Sequence, residues 1–276
     1  MPVAAVRSLS AFGCLCAILW AALAGPAAAQ TVWTRPYQNN QISVEAITPA
    51  FKDDAIAWTS GAAYLSGTFS LNENVELVGE LPVARIDSGG VTESVIGNPY
   101  VGVGLSGTRT PFLFELGARL PLLDDPGPAA GAGSFTDVAR TRAFQPDETV
   151  LSALANWRFE IDRATSLRVR AGGVYAAFPN VVNGRQRTER DVRLTYNAQL
   201  WYEGNRTTLG LTFAGKGTLT APGSYGQKSR HWFAGTVIGN FDVVRPGLLV
   251  GVSVDSEVRD VAALFFGLTL STTYGD

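Results

Sequence analysis

The sequence predicts an all-β fold: a transmembrane, antiparallel, up-and-down β-barrel of about 12 strands, preceded by a cleaved signal peptide. Three observations predict it. About twelve stretches of roughly ten residues alternate apolar and polar side chains, and in a strand such alternation gives one oily and one wet face. The joins between them run short, long, short, long, as expected of tight turns at one rim of a barrel and long loops at the other. The chain also opens with an export signal.

That signal comes first in the chain. Arg7 supplies a basic start, residues 11–24 form an almost unbroken apolar run, and Ala27-Ala28-Ala29 precede Gln30. Cleavage is expected after Ala29, leaving 1–29 as signal peptide and 30–276 as the barrel domain. The apolar run is shorter than the roughly 20 residues a spanning helix needs. Both cysteines, Cys14 and Cys16, lie inside it, and Ala11-Phe12-Gly13-Cys14 makes a poor lipoprotein signal. The expected mature chain has no cysteine, which excludes thiol catalysis and thiolate metal sites. Without Arg7 the charge is 21 Lys+Arg against 24 Asp+Glu, near −3. No basic excess or stripe is present to bind nucleic acid.

Strands are expected at 41–50, 61–71, 75–86, 98–106, 111–122, 149–161, 166–178, 190–203, 206–218, 228–241, 247–255 and 261–274. The joins 72–74, 107–110, 162–165, 204–205 and 242–246 are brief, and the largest loop, 123–148, is rich in Gly, Ala, Pro and Asp. An even strand number puts both ends of the barrel on the short-turn side, expected to be the periplasm.

Alternation does not by itself say which face is outside. Twelve strands close into a cylinder roughly 24 Å across, and filling it with apolar side chains would take many bulky aromatics. The apolar face instead carries mostly Val, Leu and Ala, as in Val101, Val103 and Leu105 or Leu248, Val250, Val252 and Val254. Aromatics of the same parity gather at the short-turn ends: Phe69, Phe112, Phe159, Tyr202, Phe241 and Tyr274. They read as an interfacial girdle. The opposite parity holds the charges, and an outward mid-bilayer Arg would cost about 2–4 kcal/mol. Lipid therefore meets the apolar face, and only a closed barrel leaves no unpaired backbone edge there.

The inward parity supplies the lumen. Glu45, Glu76, Glu80 and Glu115, with Arg119, come from the first five strands; Arg158, Arg168, Arg170 and Arg193 come from the sixth to eighth. One wall is thus acidic and the facing wall basic. Such a field can orient a polar solute in a pore; alternatively the charges pair across the lumen and plug it. Loop 123–148 is long enough either to fold inward as a constriction or to remain an outer surface loop.

Other motifs carry less. Residues 102–107 spell a dinucleotide glycine pattern, but a strand follows where that site needs a helix. His231 shares strand parity with Ser229, the pairing a barrel-embedded lipid hydrolase would need, with Asp255 or Glu257 to orient the ring. The same parity joins His231 to Phe233 and Val237, so an interfacial role is favoured. Asp53-Asp54 and Asp124-Asp125 lack calcium-loop spacing, so no metal or other cofactor is expected. Asn205-Arg206-Thr207 reads as a turn.

Three stretches carry a resemblance: Ser43-Val44-Glu45-Ala46 followed by Pro49-Ala50-Phe51, Leu77-Val78-Gly79-Glu80-Leu81-Pro82, and Ile96-Gly97-Asn98-Pro99-Tyr100-Val101-Gly102. Together they resemble the meta-pathway phenol-degradation and transporter-like outer-membrane β-barrel family, over about the first third of the mature chain. The resemblance implies passage of small, often aromatic or hydrophobic, compounds, and no catalytic residues to carry over. The chain ends in Tyr274-Gly275-Asp276 rather than in the terminal Phe of many such barrels. The expected function is a monomeric bacterial outer-membrane channel or uptake porin with a charged lumen, with the lipid bilayer and a small solute as partners. A non-conducting structural or surface-interaction barrel is the alternative, and a lipid hydrolase using Ser229 and His231 the third reading.

Overall fold

A strand buried in hydrocarbon must satisfy every backbone group on its neighbours, and here the strands do so by forming a ring. The computed structural model describes residues 40–106, 111–124, 127–182, 185–220, 228–241 and 243–274. The expected signal peptide, its cleavage point and both cysteines lie outside the described residues. The strand segments are β1 (Gln41–Phe51), β2 (Gly61–Asn72), β3 (Val75–Ser88), β4 (Val91–Ile96), β5 (Tyr100–Ser106), β6 (Phe112–Arg119) and β7 (Thr149–Glu160). They continue with β8 (Thr165–Val182), β9 (Arg185–Glu203), β10 (Thr207–Thr218), β11 (Ser229–Gly239), β12 (Arg245–Ser253) and β13 (Ala262–Thr273). Each pairs antiparallel with its neighbours, β1 with both β2 and β13, and β2 with β3, so the sheet closes. Because β4 and β5 lie end to end along β3, they form one broken strand of a 12-strand barrel.

Two expectations need correction. The fourth strand begins not at 98 but at Val91, since β3 and β4 form a hairpin over Gly89 and Gly90, with φ of 58° and 81°. Two successive left-handed positions suit glycine and the right-handed twist of a two-residue hairpin. The β8–β9 ladder also runs past 178 and 190 to Val182↔Arg185. Its neighbours stop earlier, at Thr149↔Ala177 and Thr218↔Arg193, so this hairpin stands beyond the rim.

The sidedness follows the parity. Val101, Val103, Leu105, Leu248, Val250 and Val252 are exposed on the outer face, whereas Glu45, Glu80, Glu115 and Arg168 are buried inside. Phe112, Phe159, Tyr202 and Phe241 are exposed at the short-turn rim, and Trp157 joins them, stacked on Phe159 at 5.4 Å. The interior also holds large aromatics the alternation did not announce: Tyr64, Tyr100, Trp201, Trp232 and Phe265 are all buried.

Loop 123–148 turns inward over its residues 127–148. It contains a short helix, Pro128–Ser134, with Pro at the start where no amide partner is missed, and a 3-10 turn, Thr141–Phe144. Ala130, Val138, Ala143 and Phe144 pack against Ile47, Ala62, Tyr64 and Ala84 of the inner wall. The loop is a plug seated in the long-loop half of the lumen.

Candidate functional site

The plug is positioned by the break between β4 and β5. Asn98, fully buried there, accepts from the amides of Leu122 and Leu123 at 2.9 Å each and donates Nδ2 to the Gln145 carbonyl at 2.5 Å. Its own amide donates to Ala143 O at 2.6 Å. One side chain thus ties down both ends of the loop. Gly97 beside it leaves room, because a Cβ there would stand 2.3 Å from Ala143 O. The Gly97-Asn98-Pro99 stretch that contributed to the family resemblance is the plug's anchor.

Deeper in the lumen the plug delivers Arg140 onto the acidic wall. Nη2 donates to Glu45 at 2.5 Å, Nη1 to Glu80 at 3.2 Å, and Nε to the plug's own Asp137 at 2.6 Å. The guanidinium also lies over the Tyr64 ring, whose hydroxyl donates to Thr136 Oγ1 at 2.6 Å. Arg119 donates to the other oxygen of Glu80 at 2.6 Å and to Asn98 O at 3.1 Å. Buried charges are tolerated only when paired and hydrogen-bonded; here every arginine donor set meets several acceptors.

The nine residues expected to line the lumen all project from the inner face, but they form separate groups. Glu45, Glu80 and Arg119 are joined through Arg140. Glu115 accepts from Arg170 at 3.0 Å and from the Tyr100 hydroxyl at 2.6 Å. Arg168, almost wholly buried, donates to the amide oxygens of Asn156 at 2.6 Å and Gln199 at 3.4 Å. Arg193 pairs with Asp191 at 2.6 Å, and Arg158 comes within 4.0 Å of Glu160 and Glu203. Glu76 lies over Gly104, where a Cβ would meet its Cγ at 2.5 Å. The acidic and basic walls meet directly in the Glu115–Arg170 pair. The plug bridges them. Arg140, Asp137 and Arg142 were missed because a loop has no face parity to say where its charges point; only the length of 123–148 hinted at it.

At the short-turn rim lies a polar cavity of about 490 Å³ lined by Arg163, Glu203, Asn205, Asn240 and Arg245, among others.

His231 sits outside the lumen. Its ring stacks on Phe213 at 5.7 Å, Nδ1 meets Asp255 at 3.2 Å, and Nε2 meets the Tyr196 hydroxyl at 2.6 Å over Gly215. Asp255 does orient the imidazole. The other ring nitrogen, however, is engaged by Tyr196, and buried Ser229 Oγ has no hydrogen-bond partner among the described residues. Ser229 and His231 do not form a nucleophile–base pair.

No family model matches the chain, and no curated protein matches it either. Solved structures do. The NanC porin superposes with a TM-score of 0.57 at 8% identity, covering 84% of this chain and all of that one. An outer-membrane channel from Pseudomonas putida F1 superposes with a TM-score of 0.58 at 10% identity, covering 89% of this chain and 98% of that one. At such identities the likeness is one of fold: a closed antiparallel barrel of the outer-membrane kind.

Proposed function

We propose that the chain is a bacterial outer-membrane channel for small molecules, constricted by its own plug. The observation that carries this reading is the buried polar and charged inner wall, inside a barrel whose outer belt is apolar. A barrel built only as a structural stave could fill its centre with apolar side chains at less desolvation cost. A lumen lined with ionised groups on both walls instead suits water and a charged or polar solute. Glu45, Glu76, Glu80, Glu115, Arg119, Arg158, Arg168, Arg170 and Arg193 are the lumen-lining residues in this reading. Residues 1–29 direct export, 30–276 form the barrel as a monomer, and both ends face the periplasm. The family resemblance adds the finer suggestion of aromatic solutes.

The buried Arg140 clamp favours a second reading, a non-conducting surface barrel whose plug never leaves. Planar bilayers separate the two. The channel reading expects small unitary steps from the wild type and larger ones when the plug is shortened. Absence of steps from both proteins, each shown to be folded by heat-dependent gel migration, rejects it in favour of the second.

A further inference from the structure

At the long-loop mouth the plug faces the basic wall, and the charges there are not evenly matched. Arg142 donates Nη2 to Asp191 Oδ2 at 2.6 Å and also pairs with Glu148. Arg193 donates Nε to the same Asp191 Oδ2 at 2.6 Å, while Thr220 donates to Oδ1 at 2.7 Å. A single carboxylate is therefore shared between two guanidinium groups and capped by a hydroxyl. Beside them stands Lys216 on β10, partly buried. Its ammonium donates to Thr141 Oγ1 of the plug at 2.5 Å, and among the described residues no carboxylate lies within 4 Å of it. Arg193, Arg142 and Arg230 act on it as like charges, with Asp137 opposing from the Arg140 clamp. Arg142 Nε is buried with no acceptor among the described residues.

Three cations thus converge on one side of a lumen with an ammonium and an arginine N–H unmatched. A partly desolvated cation among like charges is stabilised by an anion brought to it. The site already shows which anion its geometry accepts, since Asp191 presents a planar carboxylate to two guanidinium groups. We infer that Lys216, Arg193 and Arg142, with Thr141, form an anion-binding subsite that takes the carboxylate of a small organic solute at the long-loop mouth. The inference rests on the channel reading and deepens it by naming the solute class. The Arg140 clamp contributes indirectly: with Arg119 it offsets two of the three carboxylates Glu45, Glu80 and Asp137, which weakens the acidic field a solute meets.

The test uses the mature chain in planar bilayers under a KCl gradient, with benzoate as probe, inorganic phosphate as rival and benzylamine as the cationic control. The wild type should be anion-selective and its current blocked by benzoate but not by benzylamine. In Lys216→Gln the half-blocking benzoate concentration should rise about tenfold or more, the loss expected of one charge-assisted contact. Lys216→Arg should restore block. Unitary steps with identical benzoate block in the wild type, Lys216→Gln and Arg193→Gln overturn the subsite while leaving the channel standing. Tighter Lys216-dependent block by phosphate overturns the carboxylate assignment. If no variant conducts, the channel reading fails on its own, and calorimetric titration of the detergent-folded barrel with benzoate decides the subsite. Lys216-dependent binding retains it and absence of binding overturns it.

Discussion

The guanidinium carbon of Arg140 lies 3.8 Å from the centre of the Tyr64 ring, while the same group reaches Glu45 and Glu80 on two other strands. One plug residue thus links β1, β2 and β3 from inside the barrel. Replacing it by Met removes the charge but leaves Glu45, Glu80 and Asp137 buried together. Breaking a buried pair in this way costs about 3–5 kcal/mol. Tyr64→Leu keeps the ion pairs and gives up a cation–π contact of about 2 kcal/mol or less, together with the hydroxyl's bond to Thr136, about 1 kcal/mol. Urea unfolding in detergent should order them wild type, Tyr64→Leu, Arg140→Met in falling stability. Equal midpoints for wild type and Arg140→Met would show that the plug is not clamped there.

Asn98 makes a kinetic prediction. Its side chain holds the amides of Leu122 and Leu123 and the carbonyl of Gln145. In Asn98→Ala the buried Leu123 amide and the half-buried Gln145 carbonyl lose this partner, at about 1–3 kcal/mol for a buried group left unmatched, while the Leu122 amide keeps the Leu120 carbonyl at 2.9 Å. The plug should then leave the lumen more often, and trypsin should cut after Arg140 and Arg142 faster than in the wild type. Asn98→Asp keeps the acceptor and loses the donor, so its cleavage rate should fall between the two. Identical rates in all three would place the anchor elsewhere.

The short turn between β7 and β8 predicts an acid-sensitive increment. Asp162 Oδ1 accepts the amides of Ala164 and Thr165 at 2.8 Å each, and the Ala164 bond leads in holding its carboxyl below the usual aspartate range. A carboxylate with a depressed folded-state pKa adds stability above its unfolded value, about 3.9, and loses it as pH falls through the lower folded value. Asp162→Asn carries no such proton. The stability difference between wild type and variant should be constant above about pH 5 and shrink on acidification below pH 4. A difference independent of pH would remove the turn carboxylate from the account.

Much of this architecture was legible because strand parity is a strict rule. Once Val101, Val103 and Leu105 face out, their alternates must face in, and the same logic sends Glu80, Glu115, Arg168 and Arg170 to the interior. What parity cannot reach is the pairing. Glu80 finds Arg119 across β5, and Glu115 finds Arg170 across β7, which requires the register of three strands. Arg140 was invisible as a partner since loop residues carry no periodicity. The interior aromatics were missed for a related reason. Trp201 is accommodated by Gly210 on the neighbouring strand, where a Cβ would stand 2.7 Å from the indole. Reading that from sequence again needs the cross-strand register.

Two glycines give opposite expectations for one substitution. Gly251 faces the lumen on β12, and the Phe265 ring of β13 lies against it, with a Cβ there falling 1.9 Å from Phe265 Cζ. Phe265 in turn packs on Trp232 at 4.3 Å, both buried. Gly251→Ala must push the ring toward Trp232, and overpacking of this kind costs about 1–3 kcal/mol. Gly131 lies inside the plug helix Pro128–Ser134 with nothing within 4 Å of the position a Cβ would occupy. There Ala relieves the glycine penalty, about 1 kcal/mol in a helix interior. Gly251→Ala should lower the unfolding midpoint of the whole barrel. Gly131→Ala should leave that midpoint unchanged or raised, and slow tryptic cleavage of the plug. Destabilisation by Gly131→Ala would mean that the helix packs more closely in the lumen than its open side allows.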